Sequence, residues 1–392
     1  MLKDMTPEDQ LCLVLARRLS PSTREQALEL LSFPVSWPLL LERARGYGIT
    51  PVICQNLQAL DFRNVPQQAR SELTNFYKVN AIRNELLGSE LARILGLLGK
   101  AGIPAMPLKG IALAESLYDE PAMRFCEDID VLVPKERIIE AVHIIAAAGY
   151  KPDFEEPFLL DLLVRYGKDC FLMRETPMCT YPIELHCGLL WGGELERGLL
   201  KRIWSDAIRK TVYKAEAFAL SAEWEFLYLA IHAARHGQLA LKWLIDLDRF
   251  CSRSTLDWQS IEQKAIELGW KGAIQESLSQ CAYFLGTTIE PAFASTKSAR
   301  QTRHPDPDGV EVPGGMFFSL RLLKTPSQKL RFIAIRLFVP TSGDCRFLPL
   351  PSSLTFLYYV LRPFRVIAIS TGWLVRAALR KIGRLVAKTF SN

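Results

Sequence analysis

The segment CEDIDVLV (126–133) carries Asp128 and Asp130 two residues apart among apolar neighbours. As a β-strand it places Ile129, Val131 and Val133 on one face and the two aspartates on the other. Carboxylates so placed repel each other and lose hydration unless a cation joins them. A hard divalent ion such as Mg²⁺ suits them, since it takes oxygen ligands from one or two carboxylates and from substrate phosphates. An Asp-x-Asp segment alone equally describes an exposed edge strand with two solvated acids.

Two further motifs favour chemistry. PLKG (107–110) sets Lys109 and Gly110 between a short strand and a helix, where backbone N–H groups bind phosphate, glycine permits close approach and lysine adds a point charge. PIELH (182–186) puts Glu184 and His186 on one strand face. If that strand lies beside the Asp-x-Asp strand, Glu184 becomes a third carboxylate, enough for a two-metal site that activates a hydroxyl and stabilises a leaving pyrophosphate. His186 then supports Glu184 from behind. His232 and His236, four apart on one helix face with Asp246 further on, are open to three readings. They are packing residues beside Trp243, part of a pocket wall supporting the site, or a metal site lacking an evident further ligand. P-loop, nucleophile-elbow, zincin and Cys/His zinc patterns are all missing.

The elements that must position these residues follow from periodicity. Residues 1–100 read as an N-terminal helical region in which Tyr77 to Gly99 forms one long helix. Residues 101–215 alternate strands (IPAMPLKG, CEDIDVLV, 170–174, 182–187) with helices, one opened by Pro134 and closed by Gly149, and so form an α/β or α+β core. Residues 216–291 are a helical domain, with Ser221 as N-cap and Gly237 as a stop. The polar, Pro- and Gly-rich stretch 292–316 reads as a flexible linker, and 317–392 as a basic helical tail.

Taken together, the Lys-Gly turn, Arg124 four residues before Asp128, the DIDVLV strand, a helix ending in Gly149-Tyr150 and the Glu184-Leu185-His186 strand resemble the DNA polymerase β-type nucleotidyltransferase superfamily. Within it they are most similar to the uncharacterised bacterial nucleotidyltransferases, as are HAARHGQLALKWLIDLDRF (232–250) and LPLP…YYVLRPFR (348–365). The resemblance spans about 80 to 365, and RFCEDID (124–130) is also similar to abortive-infection toxin nucleotidyltransferases. One departure is the superfamily's usual Gly-Ser turn, which here reads Lys109-Gly110-Ile111 and lacks the phosphate-binding hydroxyl.

The resemblance implies an α+β fold, a small mixed-sheet nucleotidyltransferase core flanked by helical regions. It implies Asp128 and Asp130 as ligands of two Mg²⁺ ions, with Mn²⁺ as a substitute, and Glu184 completing the site and helping to deprotonate the acceptor. Lys109 and Gly110 would hold the triphosphate of an NTP such as ATP. Arg124 would neutralise a phosphate or orient the acids, unless it pairs with Glu127 or Asp128. The implied reaction moves a nucleoside monophosphate to a hydroxyl on a protein, RNA or small molecule. The alternatives are a catalytically weak nucleotide-binding or scaffold protein at a membrane, linked to envelope polysaccharide assembly, and a toxin modifying tRNA ends.

Composition narrows the setting. The 392 residues are 49% hydrophobic and 23% charged, which excludes a disordered or collagen-like chain. Uncharged runs such as Phe347–Leu361 and Ser277–Ile289 are too short to span a bilayer, and the amino terminus has no apolar core of a signal peptide. Nine scattered cysteines without a C-x-x-C read as free thiols of the cytoplasm. From Arg321 onward thirteen Lys and Arg face the single acid Asp344, so a tail of +12 follows a body of −6. Arg376, Arg380, Arg384 and Lys388 recur every fourth residue opposite Val375, Leu379, Ile382 and Val386. Such a helix can lie on an anionic membrane at its inner face, dock on its own domain, or bind nucleic acid.

Overall fold

The computed structural model describes residues 5–154, 156–190, 197–236, 241–294 and 314–369. Helices α1 (Pro7–Ala16), α2 (Pro21–Leu30), α3 (Trp37–Gly46) and α4 (Thr50–Ala59) open it. Each carries proline in its first turn, where the missing N–H costs nothing. Thr6 and Ser20 cap the first two by accepting from the backbone N–H groups of Asp9 and Thr23.

Helix α5 (Gln67–Lys100) is the longest element described. It begins ten residues before the expected Tyr77, because nothing between Pro66 and Tyr77 breaks a helix. The expected stop at Gly99 falls inside its last turn, and the chain reverses at Gly102, whose φ is 66°.

The core sheet contains β1 (Met106–Pro107), β2 (Ile129–Leu132), β3 (Lys151–Pro152), β4 (Asp169–Glu175) and β5 (Thr180–His186), in the order β1-β2-β5-β4-β3. Strands β2 and β5 are parallel and the other neighbours antiparallel, so the sheet is mixed, as expected. Helices α6 (Ile111–Leu117), α7 (Ile138–Ala147) and α8 (Pro157–Tyr166) lie between the strands in sequence. Ile129, Val131, Ile183 and Leu185 are fully buried, and Ile138, Val142 and Ile145 of α7 join them with Leu91, Ile94 and Leu98 of α5 in one apolar cluster. Four aliphatic strand side chains buried this completely contribute on the order of 1.5–3 kcal/mol each, which holds the acid-bearing strands in register.

Helix α9 (Arg197–Ser205) leads into a hairpin of β6 (Ile208–Val212) and β7 (Ala215–Ala219), followed by α10 (Ala222–His236), α11 (Leu241–Arg253), α12 (Trp258–Leu268) and α13 (Lys271–Leu285). Buried side chains of α1–α4 and α10–α13 share a second apolar cluster, so the first and third sequence regions pack around one core. After residue 313 come α14 (Gly314–Leu322), α15 (Pro326–Phe338) and α16 (Ser342–Phe347). Most of the expected linker (295–313), the Gly237 stop and the amphipathic stripe from Arg376 to Lys388 lie outside the described residues. All nine cysteines are free thiols. No helix among the described residues is long and apolar enough to cross a membrane.

Candidate active site

Strands β2 and β5 run parallel with Asp130 directly opposite Glu184, so the two carboxylates share one sheet face. Asp128 lies just before β2 rather than within it, yet lines the same cleft. The condition set by the sequence, that PIELH lie beside the Asp-x-Asp strand, is therefore met. One ligand atom each from Asp130, Glu184 and His186 falls within 4.8 Å of the others. The cleft has a volume of about 350 Å³.

Asp130 is the hub. Its side chain is fully buried, and Oδ1 lies 2.7 Å from Lys109 Nζ and 2.9 Å from His186 Nε2. A carboxylate only accepts, so Nε2 carries the proton on that bond. His186 is also 3.4 Å from Glu184, which makes it a partner of both acids, and first of Asp130. The other oxygen, Asp130 Oδ2, is buried without a hydrogen-bond partner.

The two aspartates are pushed in opposite directions. Burial favours a neutral Asp130, but the charges of Lys109 and His186 outweigh it and hold its pKa far below the usual carboxylate range. Asp128 is pushed upward, first by burial and then by the charge of Asp130. Burial works against a charged Lys109, yet Asp130 and Asp128 more than offset it. For His186 burial is likewise outweighed by its bonds to Asp130 and Glu184, so its pKa rises.

Gly110 joins β1 to α6 with φ of 62°, a conformation that L side chains rarely adopt. A Cβ there would stand 3.2 Å from the Asp128 carbonyl and 3.6 Å from Asp130 Oδ2. The glycine thus lets the turn approach the acids closely.

Helix α5 grips the chain entering the acids. Asn80 Nδ2 donates to the carbonyls of Ala122 and Arg124, and Asn84 Nδ2 to those of Pro121 and Arg124. Arg83 donates to the carbonyls of Cys126 and Glu127. Arg124 stands at the cleft wall, and its Nε and Nη2 donate to the two carboxylate oxygens of Asp246, at 2.9 and 2.7 Å. Its partner is therefore not Glu127 or Asp128, because Asp246 engages both ends of the guanidinium fork and Lys242 takes Glu127 at 2.5 Å.

The family model described as uncharacterised nucleotidyltransferase matches residues 34–286. The chain belongs to this nucleotidyltransferase family. A solved structure of an antigenic nucleotidyltransferase-like protein from Paracoccidioides brasiliensis is similar at 12% identity, over 51% of this chain and 93% of that chain, with a TM-score of 0.33. No curated protein matches the chain.

In this nucleotidyltransferase the cleft gathers Lys109, Gly110, Asp128, Glu184, His186 and His232. His232 stands edge-on to Trp243 with ring centroids 5.1 Å apart, while Asp246 is committed to Arg124 and to the Tyr118 hydroxyl. The side chain of His236 lies outside the described residues. Sequence reasoning missed Lys168, Asp169, Arg235 and Lys242, all at the cleft wall. Lys168 and Asp169 stand immediately before the strand expected at 170–174, and extending that strand by one residue would have reached Asp169, with Lys168 next to it. Arg235 and Lys242 lie within the family-like segment 232–250, but no spacing or residue pattern there singles them out.

Proposed function

We propose that this nucleotidyltransferase moves a nucleoside monophosphate from an NTP, such as ATP, to a hydroxyl on a protein, an RNA or a small molecule. The observation that carries the reading is the facing pair Asp130–Glu184, with Asp128 beside it and a buried carboxylate oxygen that lacks any partner. Three carboxylates form a hard oxygen donor set, and the orphaned Asp130 Oδ2 is the kind of atom that a cation satisfies. The residues thus fit a divalent ion. Asp128, Asp130 and Glu184 would hold Mg²⁺, or Mn²⁺ in its place, with two ions in the full assembly. When bound, such ions neutralise phosphate charge and favour ionisation of the attacking hydroxyl.

The chain's own residues have separate tasks. Lys109 reaches from the turn to Asp130 and carries a charge that can follow a phosphate. Gly110 lets the backbone approach the triphosphate. Glu184, about one-third exposed, can take a proton from an acceptor and release it to water. His186 holds Asp130 and Glu184 in place.

Attachment to the inner face of the membrane is a second element of the proposal, favoured by an apolar surface near the C-terminal end. Phe347 (73% exposed), Phe356, Val360, Phe364 (69%) and Ile367 all face solvent there, immediately before the basic stripe.

The test is incubation of the protein and a cell lysate with each α-³²P-labelled NTP, with Mg²⁺ or Mn²⁺ and with chelator. Metal-dependent label in an acceptor together with pyrophosphate release is expected. Metal-dependent NTP binding without pyrophosphate release under either ion would favour the scaffold alternative.

A further inference from the structure

A second cavity, of about 370 Å³, borders the cleft and shares Lys168, Asp169 and Arg235 with it. Phe171 of β4 lies in its wall directly opposite Glu184 of β5, so the cavity adjoins the acids on the same sheet face. Helix α15 and the chain after it cover the other side, through Phe332, Arg336 and Thr341, and these residues lie beyond the family-matched stretch.

The cavity is cationic. Lys168, Arg235, Arg336 and Arg362 line it against Asp153 and Asp169. Lys168 is paired with Asp169 at 2.7 Å, and Arg362 with Asp344 at 2.5 Å. Arg235 and Arg336 have no ion pair among the described residues. Desolvation, followed by the like charges of Arg235 and Arg362, holds the pKa of Arg336 below the usual guanidinium range. A bound anion would relieve both costs.

Sheet order gives the cavity its direction. Passing across β1-β2-β5-β4-β3, one meets the Lys109-Gly110 turn, then Asp128 and Asp130, then Glu184 and His186, and then Lys168 and Asp169. With the triphosphate on the turn, the leaving pyrophosphate lies on the β1 side of the acids. In-line displacement then requires the attacking oxygen to come from the β4 side, where this cavity opens.

We propose that the cavity is the acceptor subsite, and that it takes a small phosphorylated compound whose free hydroxyl reaches the acids. The proposal rests on the nucleotidyl-transfer reading above. Guanidinium forks match phosphate oxygens, and the volume suits a molecule of sugar-phosphate size. In the step, the acceptor oxygen bonds the α-phosphorus while the bond from that phosphorus to the bridging oxygen of the β-phosphate breaks. Pyrophosphate leaves with the electron pair, and the hydroxyl proton passes to Glu184 and on to solvent.

The test compares wild type, Arg336→Gln and Arg336→Lys as full-length proteins with matched thermal melts. Titration with inorganic phosphate should show a Kd raised about tenfold in Arg336→Gln and only partly restored in Arg336→Lys, which keeps the charge but not the fork. The Kd for Mg²⁺-ATP should stay within about twofold. In transfer assays, label from the NTP should enter glucose 6-phosphate or glycerol 3-phosphate in preference to glucose or glycerol, with the acceptor KM raised by Arg336→Gln. Unchanged phosphate affinity in Arg336→Gln, or an equal loss of ATP affinity, would overturn the subsite. Preferential labelling of RNA or protein would overturn the acceptor class. If wild type consumes no NTP while Arg336→Gln still loses phosphate affinity, the anion site holds and the transfer reading fails.

Discussion

Arg124 and Asp246, 122 residues apart in sequence, meet through two parallel hydrogen bonds in full burial, with side chains 4% and 1% exposed. The pair joins the segment leading into the acids to helix α11, and Tyr118 adds its hydroxyl to Asp246 at 2.7 Å. Truncating one partner leaves the other charge buried and alone. Asp246→Ala should therefore destabilise the protein by about 3–5 kcal/mol in urea unfolding. Replacing both partners, as in Arg124→Met with Asp246→Leu, should recover much of that loss. A mild Asp246→Ala phenotype would mean that water reaches the pair.

The two aspartates should respond differently to loss of charge. Asp128→Asn relieves repulsion in metal-free protein and should raise its melting temperature by about 1–2 °C. Asp130→Asn strips the charge from the partner of both Lys109 and His186 and should cost about 1–3 kcal/mol. Both should lower nucleotidyl transfer by orders of magnitude, with Glu184→Gln somewhat milder and Lys109→Ala acting chiefly through KM for the NTP. Wild-type transfer by folded Asp130→Asn with excess Mg²⁺ would remove the metal site from the proposal.

Glu225, in the first turn of α10, has its pKa pushed from 4.5 to about 7 by burial, with Lys210 pulling weakly the other way. The folded state prefers this carboxyl protonated. Its contribution is fully present below pH 4.5 and is lost as pH rises through about 7. Glu225→Gln should therefore leave the melting temperature nearly unchanged at pH 5 and raise it by about 1–3 °C at pH 8. Equal shifts at both pH values would contradict the assignment.

Peripheral membrane binding is read by co-sedimentation with vesicles of anionic lipid. Deleting residues 371–392 should reduce binding and leave turnover on a dissolved acceptor within about threefold, and salt should weaken binding of the full chain. Phe364→Ser, at an exposed ring beyond the cleft, should weaken it further. Indifference of the full chain to vesicles at low salt would refute this element of the proposal.

Much of the site could be read locally. Strand alternation brought out Asp128, Asp130, Glu184 and His186, and a glycine after a lysine marked the turn, because these signals span two to five residues and need no knowledge of distant partners. The same reading shortened α5 and overlooked α8 as well as β3, a strand of two residues that is too brief to stand out.

The sequence by itself determined which side chains are chemically equipped, which strands carry them, and that a basic tail follows an acidic body. Tertiary structure alone decided that Asp130 faces Glu184, that His186 serves Asp130 first, and that Arg124 is bound to Asp246. It also decided that Lys168 and Arg235 stand where two cavities join. The physical reason is range. Alternation and capping arise from neighbouring residues, whereas strand register and buried ion pairs depend on how separate segments lose their water together.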